Sequence, residues 1–331
     1  MIQPLTRCAH ILNFAVLFLA AACTNLPGLH SSTSQDSLTA PFHEWQIIDT
    51  ATGQPVPSDQ WLTMLLQQDL IYLGEEHHNR FHIDAALTVL RRLTQEDRTP
   101  VLAMEMFGWD GQEALNHYLS GSHQNRQEFL EQVRWQQNWG GAFSDYEPLA
   151  QFAKEQGLPV VALNPPKSLI RLVAKQGLTR ARSDPAMAEW NMADESIVDD
   201  PVYRTRILQQ LQACHGGGED RLYHMMYDAS MVRDEGMART LAQHLLALKH
   251  ESNPHAGPLV SYTGGGHIQY NLPVPKRVTR RIPFDVRQIS VYMTSFEAGR
   301  VDELHTMIRE RIADYLWLTP VSDLGLPRRC R

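Results

Sequence analysis

Five short, nearly continuous apolar runs constrain this chain most: residues 69–74 (DLIYLG), 100–106 (PVLAMEM), 158–164 (LPVVALN), 258–263 (PLVSYT) and 286–293 (VRQISVYM). A run with no polar alternation belongs to a strand covered on both faces, and the stretches between these runs are long enough for helices. Ile83, Leu87 and Leu90 repeat at helical spacing between the first two runs, which makes a βαβ unit and a mostly parallel sheet. The expected fold is α/β: a mostly parallel central sheet flanked by helices, with a smaller helical subdomain. That subdomain is expected as an insertion at about 174–246, where strand signals are absent and helical periodicity is interrupted by glycines. Residues 111–147 also read as helical.

Open α/β sheets bind ligands beyond the carboxyl ends of their strands. The polar residues of this sequence cluster at those ends. The first run stops at Gly74-Glu75-Glu76-His77-His78, the second carries Glu105, the third ends at Asn164 and the fourth runs into Gly264-Gly265-Gly266-His267. Two histidines and two carboxylates, Glu75, His77, Glu105 and His267, make a candidate divalent-metal set or, without metal, an acid–base set for hydrolysis. No HExxH-type spacing fixes either choice. Glu75 could instead anchor the helix that follows it. His82 reads as a satisfied core histidine.

The ends of the chain concern export. An apolar stretch over 11–22, too short to span a bilayer, follows one Arg and one His and precedes Cys23. Residues 1–22 therefore read as a signal peptide, with Cys23 as a lipobox-like lipidation site. Residues 23–44 form a Ser/Thr/Pro/Gly-rich tether, 45–320 the folded domain and 321–331 a tail. Thr24 and Asn25 after the cysteine point to the outer membrane, with the domain facing the periplasm. The formal charge of −7, with both signs mixed along the 331 residues, argues against a nucleic-acid partner. Cys214 and Cys330 remain after processing, a pair that an oxidising compartment would allow.

A second theme is aromatic. Tyr223, His224, Met225, Met226, Tyr227 and Met231 share one helical stretch, while Tyr146, Tyr203, Tyr262 and Tyr270 are scattered. Haem asks for an apolar slot, an axial ligand and donors for its propionates, and phenolate suits iron(III). A methionine stripe at helical spacing is also ordinary core filling.

Taken in order, GEEHHN (74–79), His82, LAMEMF (102–107), WGGAFSDYEPLAQFA (139–153), ALNPP (162–166), RDEGMA (233–238), GGGHIQYNLP (264–273) and ADYLWL (313–318) resemble the ChaN family of iron-regulated haem-binding lipoproteins. Its superfamily includes the Tiki metalloproteases and the erythromycin esterases. The resemblance implies haem held through a tyrosine at a homodimer interface, a lipid anchor, and work in haem or iron uptake alongside an outer-membrane haem or iron receptor. Tyr146 is the first choice for the axial ligand, with Tyr203 and Tyr270 as rivals and His78 as a further haem-side donor. The superfamily's enzymes imply an alternative, a metal-dependent hydrolase using Glu75, His77, Glu105 and His267.

Overall fold

The structure is a computed structural model that describes residues 42–121, 125–215 and 220–325. The residues read above as a signal peptide, Cys23, most of the expected tether and Cys330 lie outside the described residues. Cys214 is disulfide-bonded.

The described strands are β1 (Ile47–Asp49), β2 (Gln54–Val56), β3 (Leu70–Glu75), β4 (Thr99–Gly108), β5 (Val160–Asn164), β6 (Ala256–Gly264), β7 (Gln288–Ser295) and β8 (Tyr315–Thr319). They form one sheet in the order β2-β1-β8-β7-β3-β6-β4-β5. All five apolar runs are strands in it. The pairs β3–β6, β3–β7, β4–β6, β4–β5 and β7–β8 are parallel, so the fold is the mostly parallel α/β sheet that the runs demanded. The structure adds the antiparallel hairpin β1–β2 and strand β8 on one side.

Each central strand divides its side chains between two cores, as the two-residue period requires. Ile71, Leu73, Leu102, Met104 and Ala162 face a core built with Trp61, Ile83, Leu90, Phe107, Trp135 and Tyr146. Leu70, Tyr72, Val101, Ala103 and Val161 face the opposite core, closed by Met237, Leu241, Val274 and Val278. Continuous apolarity in the sequence therefore reports helices on both faces.

Between Lys167 and His250 every described element is a helix, and the last of them is the 31-residue helix Asp220–His250. Gly236 does not interrupt that helix. A Cβ there would lie 2.4 Å from Pro165 Cγ, so the glycine permits close packing between the helix and the end of β5.

Candidate functional site

Strands β3, β4 and β6 lie side by side, with Glu75 opposite Gly264 and Met104 opposite Tyr262 in register. This places Glu75, Glu105 and the β6–Gly265 turn on one rim, the location that sheet topology favours for a ligand. The β4–β5 ladder shifts register between Met104 and Gly108, an irregularity that falls beside Glu105.

Glu75 is 4% exposed and accepts three hydrogen bonds: from His77 Nδ1 (2.8 Å), Tyr146 Oη (2.9 Å) and Tyr262 Oη (2.7 Å). Burial raises its pKa, and these donors only partly offset that. Burial pushes His77 down, but the Glu75 hydrogen bond and the Glu105 charge outweigh it, so His77 titrates above the usual histidine range. The His77 side chain keeps 46% of its surface exposed. Its ring meets the Trp139 ring edge-on, with centroids 4.8 Å apart.

A second set lies alongside. Glu105 accepts from Gly264 N (2.8 Å) and faces His267 Nε2 (3.2 Å), while His267 Nδ1 lies 2.6 Å from Asp234 Oδ1. Tyr203 donates to the other Asp234 oxygen. Burial disfavours charge on His267, yet Glu105 and Asp234 outweigh it and raise its pKa to about 10. It is therefore an imidazolium at neutral pH, a donor at both nitrogens. Burial likewise pushes Glu105 up, but His267, then His77 and Arg233, hold it well below the usual carboxylate range.

The candidate residues thus separate. Glu75, His77, Glu105, His267, Tyr146 and His78 share the rim, and Tyr203 reaches it through Asp234. Tyr146 is fully buried; it accepts from His78 N (2.9 Å), and burial together with Glu75 raises its pKa. His78, in a left-handed turn at φ 64°, pairs with Asp145 Oδ2 at 2.7 Å. Tyr270 lies elsewhere, beneath Arg206 and donating to Glu310, in a separate cleft of about 600 Å³. Asn164 sits at the end of β5 with its Oδ1 buried and unpartnered. His82 is wholly buried, with Nδ1 accepting from Glu76 N and Nε2 against Thr319 Oγ1.

The divalent-metal expectation for Glu75, His77, Glu105 and His267 finds no support. Among the described residues, no group of three or more His, Cys, Asp or Glu side chains is arranged to hold a metal ion. The physical reason is pairing: His267 commits both nitrogens to carboxylates, and Glu75 is taken up by one imidazole and two phenols.

Sequence reasoning missed Asp234 and Asp145 as partners of the two histidines. Asp234 lies in the RDEGMA stretch, where a charged run on a helix ordinarily signals a solvated face; here Asp234 and Glu235 are both fully buried.

Two cores flanking a mostly parallel sheet, with a rim of coupled carboxylates, imidazoles and phenols, define an α/β protein of one sheet with its polar cluster at the strand ends. The family described as haem-binding uptake, Tiki superfamily, ChaN matches residues 61–278, and the chain belongs to that family. The solved structure titled "Cofacial heme binding to ChaN of Campylobacter jejuni" is similar over 83% of this chain and 98% of that one, with TM-score 0.61 and 17% identity. A mutant erythromycin esterase, EreC, aligns over 72% of each chain with TM-score 0.41 and 14% identity. Protein RETICULATA-RELATED 5, chloroplastic, from Arabidopsis thaliana is 23% identical over 274 residues. The aligned region covers 76% of this chain and about a third (34%) of that longer protein.

Proposed function

We propose that this protein binds haem at the Glu75–His77–Tyr146–Trp139 rim and serves haem or iron uptake. The observation that carries the reading is the half-exposed His77 imidazole, steered by Glu75 and standing on Trp139 with a phenol one hydrogen bond away. The residues suit the group. Trp139 offers a flat aromatic wall, and its buried Nε1 has no partner, a spare donor for a carboxylate. Bound haem would supply an iron centre with open axial coordination.

Tyr146 is the proposed axial ligand; its hydroxyl donates to Glu75, and burial beside that carboxylate keeps the phenol protonated in the unliganded protein. His77 and His78 border the same place. Because His77 lies open, enclosing a flat tetrapyrrole calls for a second copy of the chain, which supports a homodimer. Lipidation at Cys23, an outer-membrane anchor facing the periplasm and a haem or iron receptor as partner complete the proposal. Among the described residues no helix is long and apolar enough to cross a membrane.

The test is Tyr146→Phe. The charge-transfer bands of a phenolate–iron(III) complex should vanish while the circular dichroism spectrum stays unchanged. Intact bands in the variant would remove Tyr146 as the ligand.

A further inference from the structure

We infer that Trp45, Phe81 and Leu324 form a patch that rests on an anionic lipid surface and turns the rim toward it. This rests on the lipid-anchor reading above and adds what an anchor alone leaves open, the face of the domain that meets the bilayer.

The patch lies at the rim end of the sheet. Trp45 N donates to Leu318 O at 2.7 Å, near the carboxyl end of β8. β8 runs parallel to β7, and β7 to β3, so this is the end at which β3 stops at Glu75. Phe81 comes three residues after His78, in the first turn of the helix Arg80–Gln95. Its ring meets the Trp45 ring edge-on, with centroids 5.9 Å apart, and the Arg80 guanidinium lies over it at 4.7 Å. Arg80 pairs in turn with Asp323 at 3.2 Å, immediately before Leu324. An indole that is 42% exposed and a leucine that is 72% exposed are thereby brought to one surface. Large apolar side chains gathered outside the core mark a place of contact, and the boundary between water and lipid is where an indole with its polar N–H is most at ease.

Two stretches of sequence identify what covers the patch. Residues 23–44 join Cys23 to Trp45, so an acylated cysteine brings this end of the domain nearest the bilayer. After Leu324 the sequence GLPRRCR (325–331) supplies three arginines and no acid. Glu44 and Asp323 adjoin the patch, and Arg80 together with these three outnumbers them. Arginines beside an anionic bilayer are drawn to it, and basic residues strengthen attachment through acyl chains. Seated this way, the rim opens toward the bilayer, the phase into which a flat apolar ligand such as haem partitions.

The experiment reconstitutes the full acylated chain into vesicles of phosphatidylethanolamine and phosphatidylglycerol whose acyl chains carry bromine, a contact quencher of indole. Tryptophan emission should fall relative to unbrominated vesicles. Trp45→Phe should lose at least half of that fall, although the other tryptophans remain. An Arg328→Gln, Arg329→Gln double variant should reduce the fall about two-fold, as should about 0.5 M salt. The mass of the N-terminal peptide reports acylation of Cys23 separately. An acylated chain whose emission is not quenched, or is quenched equally in Trp45→Phe, overturns the patch and leaves the anchor standing. A Cys23 without acyl chains, in a chain that does not float with the vesicles, overturns both.

Discussion

His267 spends both ring nitrogens on carboxylates, and that sets how the protein should respond to pH. Its folded pKa of about 10 exceeds the ordinary 6.5, so its contribution to stability is complete below about 6.5 and is lost as pH rises toward about 10. The melting temperature should therefore fall across that window, and His267→Gln should flatten the fall; an unchanged slope in the variant would contradict the pairing. Gly74 makes a second prediction at this scale. A Cβ there would sit 2.5 Å from Ile268 Cδ1 and 3.0 Å from Gly265 Cα, so Gly74→Ala should destabilise by about 1–3 kcal/mol in denaturant titration. Gly264 differs, because the atoms its Cβ would meet belong to the His77 ring, 2.7 Å away at Cε1. Gly264→Ala should displace that ring and weaken haem binding with little loss of stability. Glu75, His77, Glu105 and His267 could be picked out from sequence because glycines and strand ends framed them. Their partners could not, since Asp234 and Asp145 come from helices distant in sequence, and only the folded chain pairs them with His267 and His78.

At the level of elements, the helix Val274–Arg281 presses three arginines onto one buried carboxylate. Glu235 accepts from Arg280 at 2.7 Å and lies 2.6 Å from Arg281 and 3.2 Å from Arg277, itself only 3% exposed. Glu235→Gln would strip the counter-charge from a buried guanidinium, so unfolding free energy should drop by about 3–5 kcal/mol, measured by urea titration. A loss under 1 kcal/mol would mean that the helices hold together without the ion pairs. The helix Arg80–Gln95 shows what a local signal can reveal. Asn79 caps it by accepting from Phe81 N at 3.0 Å, and its apolar period was readable in advance. β1 and β2 were not readable, because three-residue strands carry no period of their own. The apolar YLWLT of β8 was visible as sequence, but its place in the sheet depends on pairing with β7 and β1.

For the whole molecule, continuous apolar runs were enough to imply a sheet covered on both sides, and that sheet brings three strand ends to one rim. What sequence could not decide was how the rim's groups share charge. Candidate metal ligands became mutual ion pairs once folding brought His267 between Glu105 and Asp234. The resulting surface joins an open imidazole and an aromatic wall, a combination suited to a flat ligand. The most direct measurement is a ferric haem titration of the full chain followed through the Soret band, run in parallel with Trp139→Ala and Gly264→Ala. The proposal predicts saturable binding by the unaltered protein and at least ten-fold weaker binding by both variants, with the melting temperature nearly unchanged in Gly264→Ala and lowered in Trp139→Ala by the lost packing. Binding that never saturates, or that both rim variants retain in full, would contradict it.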